Sequence, residues 1–114
     1  MANPVPNKND GNANRTPVKW TVYLVDGAIE IDDEVVLLTK ATVGAYTLAA
    51  PTNPDMNGLE MTIVTTTAAA HVVTGVYLPT GTTLTFTAAI GNQATARAYN
   101  GTWHVGNLTG VTIG

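Results

Sequence analysis

An all-β domain preceded by an extended N-terminal arm is what this sequence predicts, and three observations carry the expectation. Apolar residues alternate with polar or small ones over short runs, as along a strand with one face buried. Gly, Pro and Asn clusters punctuate these runs at short, fairly regular intervals. No stripe of apolar side chains recurs at the helical period. Even the alanine triplet Ala68-Ala69-Ala70 follows three threonines and reads as a small-residue connection between strands. The expected body is a compact set of many short strands, either sandwich- or barrel-like or a short β-helical trimer, because both arrangements need brief strands and tight turns.

The arm covers residues 1–19. It holds five Asn and three Pro, offers no periodic face to bury, and carries Lys8, Arg15 and Lys19 against Asp10. An arm of this kind is either a flexible tail or one that lies across a neighbouring subunit and orders on assembly, with Pro4, Pro6 and Pro17 then reducing the entropy lost. The all-β, oligomerising domain then spans residues 20–114. Trp20, Val22 and Leu24 alternate with Thr21, Tyr23 and Val25 in a half-buried strand that Asp26-Gly27 closes, and a second strand runs through Ile29 and Ile31.

Val35 to Leu38 is a short β-branched run; Tyr46, Leu48 and Ala50 alternate up to Pro51, and a turn-rich loop follows to Gly58. Leu59, Met61 and Ile63 give the next strand, and Val76 and Leu78 another before Pro79. Leu84, Phe86, Ala88 and Ile90 alternate up to Gly91-Asn92, and Ala94, Ala96 and Ala98 up to Asn100-Gly101. Asn-Gly between extended segments is the strongest local hairpin signal in the chain. Trp103 to Val105 and Leu108 to Ile113 close it, separated by Gly106-Asn107. A faint echo relates Leu37-Leu38-Thr39 to Ile63-Val64-Thr65 and then, at the same spacing beyond Val64, to Ile90, as stacked rungs of a β-helix would.

Charge is distributed unevenly. Beyond Glu60 the rest of the chain holds one formal charge, Arg97, beside His71 and His104. A surface so poor in ionic groups is built from Thr and Asn or is covered by other protein, which favours a structural, self-associating chain over an enzyme. The net charge of -3 removes the long-range attraction for phosphate polymers, so no nucleic-acid partner is expected. No stretch has the length of a membrane span and residues 1–20 contain no apolar signal core, so neither membrane association nor standard secretion is expected. With no Cys there is neither a disulfide nor a thiolate metal site.

No constellation of catalytic residues is legible, and no cofactor is implied. His71 and His104 flank strands and read as hydrogen-bonded structural histidines. The acidic group Asp26, Glu30, Asp32, Asp33 and Glu34 lacks the alternating oxygen ligands of a calcium loop, and reads as a solvated edge that discourages stray strand pairing or receives the basic arm of a neighbour. Trp20, Tyr23, Tyr46, Tyr77, Tyr99 and Trp103 read as bulky anchors of a thin core or of a subunit interface, with Trp20, Tyr99 and Trp103 the expected subunit-packing residues and Lys8, Arg15 and Pro17 the expected contacts of the arm.

Four segments carry a resemblance: Val35-Val36-Leu37-Leu38-Thr39-Lys40; Tyr46-Thr47-Leu48-Ala49-Ala50-Pro51-Thr52; Met61 to Val73; and Ala98-Tyr99-Asn100-Gly101-Thr102-Trp103-His104-Val105. Over residues 27–114 the chain resembles the small β-rich structural proteins of tailed bacteriophages, most of all head decoration or cement proteins, with tail-fibre modules and carbohydrate-binding β modules as rivals. The resemblance implies synthesis in a host bacterial cytoplasm and a homotrimer seated on the capsid exterior. There it would grip the major capsid protein, with the arm as contact, and brace the shell.

Overall fold

In a computed structural model, residues 19–78 and 81–114 fold as an all-β unit. Ten strands form it: β1 (Trp20–Tyr23), β2 (Gly27–Ile29), β3 (Val35–Leu38), β4 (Ala45–Leu48), β5 (Glu60–Thr65), β6 (Val72–Leu78), β7 (Gly81–Phe86), β8 (Gln93–Tyr99), β9 (Thr102–Thr109) and β10 (Val111–Ile113). Among the described residues the only helical element is the single 3-10 turn Pro54–Met56.

The strands divide into two mixed sheets of five. One runs β1-β3-β5-β8-β9, the other β2-β4-β6-β7-β10, and each starts with three parallel strands and ends with two antiparallel ones. Up to β6 the chain alternates between sheets at every strand, so β1–β2, β3–β4 and β5–β6 are three successive coils of a short β-helical winding. The four remaining strands cap the last coil by antiparallel pairing. Beyond a register shift between Thr74 and Tyr77, β6 pairs with β9 through Tyr77–Trp103 and Leu78–His104, which joins the sheets at a corner.

The core fills the space between the sheets. Val36, Leu38, Met61, Ile63, the alanines of β8 and Trp103 come from the first sheet, and Ile29, Tyr46, Leu48, Val73, Tyr77, Leu84, Phe86 and Val111 from the second. The inward alternation of Ala94, Ala96 and Ala98 agrees with the sequence expectation. Two tyrosines fold back over glycines that precede them by one turn of the alternation: a Cβ at Gly44 would lie 2.5 Å from the Tyr46 hydroxyl oxygen, and one at Gly75 2.7 Å from that of Tyr77. The Tyr77 hydroxyl donates to the Val73 carbonyl at 3.1 Å, locking the ring over Gly75. Burial raises the Tyr77 hydroxyl's pKa. The Tyr46 hydroxyl is buried with no partner among the described residues.

Several sequence expectations shift. The echo aligns Leu37 with Ile63, but in the structure Leu37 lies beside Val64 and Leu38 beside Thr65, one position further along. The difference matters because it keeps Leu38 and Thr65 both inward, and a slip by a single position exchanges the two faces of a strand. Thr65 tolerates its apolar setting because its hydroxyl donates to the Ala89 carbonyl at 2.9 Å. The supposed third echo ends at Ile90, which is 71% exposed in the turn after β7. The second strand stops at Ile29.

Asn100-Gly101 does form the β8–β9 hairpin, with φ of 52° and 79°, the doubly positive pair of a tight hairpin turn. Gly106-Asn107, in contrast, does not divide the last two strands. There β9 takes up an extra residue against β8, a bulge with Asn107 at φ 52°, and the chain breaks at Gly110 instead, where it passes to the second sheet.

Gly75→Ala is expected to destabilise the protein by about 1–3 kcal/mol, because the added methyl meets the Tyr77 ring and the Leu48 carbonyl in a space with no slack. Gly106→Ala has nothing within 4 Å of the new methyl and should change stability by no more than about 0.5 kcal/mol. Urea unfolding of the two variants beside the parent checks both.

Candidate functional site

Alternation along the strands gives each sheet one inward and one outward face, and the two outward faces differ. On the second sheet, pairing sets Ala28, Thr47, Thr74 and Thr83 in one cross-strand row and Ala45, Val72, Thr85 and Thr112 in the next, a face made largely of threonine methyls and hydroxyls. Such a face is compatible with water.

The first sheet is apolar at its β1 end. Trp20 lies beside Val35, and Val22 beside Leu37 and then Val64, so the rows are apolar over two to three strands. Trp20 is 64% and Val22 53% exposed, and Leu24 continues the exposed apolar stripe beyond the strand. Val35, Leu37 and Val64 are half-buried and are not among the residues packed on the core. Further along the same rows, β8 contributes Thr95 and Gln93, and beyond them Arg97 pairs with Glu60 at 2.6 Å. An apolar patch bounded by polar residues is the signature of an interaction surface.

A polar cluster anchors this patch at the start of β1. Asp33 is buried and accepts from the Thr21 hydroxyl at 2.8 Å and from the Tyr23 hydroxyl. The Lys19 ammonium lies 3.2 Å from Glu30 and 3.3 Å from both Asp32 and Asp33, which raises its pKa. Burial, followed by the hydrogen bond to Asp33, pushes Tyr23 up to about 12. Glu30, Asp32 and Asp33 are close enough together to hold a cation, and the Lys19 ammonium supplies that charge. Lys19 thus belongs to the folded unit and not to the arm: its backbone N–H donates to Glu34 and its carbonyl accepts from Val35. The basic group held by these acids comes from their own chain.

The remaining expected residues are scattered. Trp103 is 0% exposed, enclosed between the sheets with its indole N–H donating to the Ala49 carbonyl at 2.9 Å, so it packs within its own chain and offers no surface to a neighbouring subunit. Tyr99 is 61% exposed and stacks edge-on against His104, with ring centroids 5.9 Å apart. It sits three strands from Trp20, about 14 Å at the usual strand spacing, so the exposed aromatics make no continuous row. Lys8, Arg15 and Pro17 lie outside the described residues.

Neither histidine donates to a carboxylate among the described residues. His71 is buried, and its Nδ1 accepts from the Gly44 N–H at 3.0 Å. The proton therefore sits on Nε2, which faces the Thr67 hydroxyl at 3.0 Å, and Thr67 in turn donates to the Lys40 carbonyl at 2.6 Å. This relay ties two connections together around a neutral imidazole, the structural role expected for it. Burial, reinforced by the Lys40 charge, lowers its pKa, against a smaller opposing effect of Asp26. Lys40, followed by the Ala45 N–H, holds the Asp26 carboxyl below its usual range.

Missing from the sequence reading was the outward direction of β1. The alternation gave its period but not which phase faces the core, and the signal available was Thr21-x-Tyr23 reaching toward an acidic turn. No protein-family model, curated protein or solved structure matches this chain.

The neutral His71 generates a pH dependence. Its folded-state pKa lies below the unfolded value of 6.5, so below pH 6.5 the unfolded chain binds a proton that the folded chain refuses. Stability is fully present above pH 6.5 and falls by at most about 1.4 kcal/mol per pH unit from this group until the folded pKa is reached. Replacing His71 with Gln is expected to flatten the stability profile below pH 6.5 relative to the parent, measured by urea midpoint at each pH.

Proposed function

We propose that this chain is a structural protein of a tailed-bacteriophage particle, bound to the capsid exterior as a decoration or cement protein. The observation that supports this reading is the inequality of the outward faces: one is lined with threonine, the other presents Trp20, Val22, Val35, Leu37 and Val64. A sheet face of this sort binds by burying area and needs no reacting group. Burial of about 25 cal/mol per Å² on one copy is modest, and repetition over many copies of a shell multiplies it.

The segment carrying Lys8, Arg15 and Pro17 enters the domain at Lys19, immediately before Trp20, so arm and patch form one contiguous contact with the major capsid protein. The arm contributes the ionic part of the contact and the patch the apolar part. Bracing follows from rigidity, since each strand of the patch is laddered to the next in the sheet.

The test is binding to capsids prepared without this chain from the phage that encodes it. Removal of residues 1–18 is expected to leave the domain folded and to lower capsid occupancy several-fold. Leu37→Lys, an outward change that spares the core, should do the same. Full occupancy with both variants, or recovery of the chain from tail fibres instead of heads, overturns the reading.

A further inference from the structure

We infer that β1 is the self-association edge of this protein, and that two copies join by antiparallel pairing of their β1 strands about a two-fold axis. Among the described residues strand β1 is the terminal strand of its sheet, hydrogen-bonded on one side only. The Lys19 and Tyr23 carbonyls accept from Val35 and Thr39. In a parallel ladder this directs the backbone groups of the odd residues toward β3 and those of Trp20 and Val22 toward the open side.

Natural sheets protect such edges with charge, proline or a bulge. Trp20-Thr21-Val22-Tyr23 contains none of these. At the far end of the same sheet β9 carries a bulge at Asn107, and its exposed residues there are Gly106, Asn107, Leu108 and Thr109. The asymmetry argues against head-to-tail addition, which would place a regular strand on a bulged one, and favours the β1 edge meeting its own copy.

The edge is also complementary to itself. With Val22 opposite the partner's Val22, Trp20 falls opposite the partner's Leu24, and the even residues of both copies supply about six backbone hydrogen bonds. Every exposed apolar side chain of the stripe then meets another apolar one on the same face. Strand β2, which among the described residues ends the second sheet, lies at the same end of the coil, so the same rotation brings it toward its own equivalent. A two-fold contact of this type closes on itself and does not propagate. It also merges the two apolar faces into one surface of doubled width. It differs from the three-fold association implied by the family resemblance, and it is independent of the capsid reading, since it is measured with the purified chain alone.

The full chain contains no cysteine, so a single introduced thiol reports the contact. Opposed hydrogen-bonded residues in an antiparallel pair have Cα atoms about 5.5 Å apart, within disulfide reach. Val22→Cys is expected to yield a disulfide-linked dimer on mild oxidation, and Val64→Cys, two strands inward on the same face, to remain uncrosslinked. Sedimentation of the parent across a concentration series should show a monomer–dimer equilibrium, with Trp20→Lys raising the dissociation constant at least tenfold while leaving the far-UV circular dichroism unchanged. A trimer, a monomer throughout, or equal crosslinking of both cysteine variants overturns the proposal. Trp20 points away from the core, so its variant tests the contact even if the cysteine variants crosslink poorly.

Discussion

Inward register along the coil is the constraint from which the rest of this fold follows. The chain changes sheet at each strand from β1 to β6, so a strand is stacked on the one before last and not on the one just made. Each return must bring the same parity of residue to the interior. Val36 and Leu38 meet Ile63 and Thr65, and Tyr46 meets Val73, so the offset between the second and third coils is the same in both sheets. Lengthening or shortening a connection by a single position would send Leu38 outward and Leu37 in.

Polar side chains in the connections hold that register in a protein without disulfides. His71 binds the Gly44 N–H and faces Thr67, Thr65 clasps the turn after β7, and Asn92 donates to the Thr87 carbonyl and hydroxyl while its own carbonyl accepts from Thr65. Asp33 does the equivalent for the first coil through Thr21 and Tyr23. These groups are buried and expensive to leave unpaired, so each makes its connection conform to one geometry. Small residues set the spacing between: alanines on β8 and glycines beneath Tyr46 and Tyr77 give the larger rings their room.

Much of this was readable from residue order alone, and the parts that were not share a physical cause. The all-β class, the Asn100-Gly101 hairpin and the inward alanines follow from local rules of turns and alternation, which act over short stretches of chain. The phase of β1, the enclosure of Trp103 and the placement of Lys19 among Glu30, Asp32 and Asp33 depend on what lies across the sandwich or beside it in space. Trp20 and Trp103 are the same residue type in similarly alternating runs, yet one is exposed and the other enclosed, because only Trp103 lies over Ala49 in the opposite layer. The break at Gly110 escaped for a related reason: Gly106-Asn107 has turn chemistry, and a bulge uses the same residues as a turn.

The order in which the strands leave the ribosome gives the antiparallel cap a further significance. Strands β7 to β10, which supply Leu84, Phe86, the three alanines, Trp103 and Val111 to the interior, all lie from Gly81 onward and are made after the coil. A nascent chain that has emerged only as far as β6 has three coils with much of their interior unlined and two long edges bare. Closure therefore waits until β7 to β10 have emerged, and the contacts that finish the coil join residues far apart in sequence, Ala49 to Trp103 included.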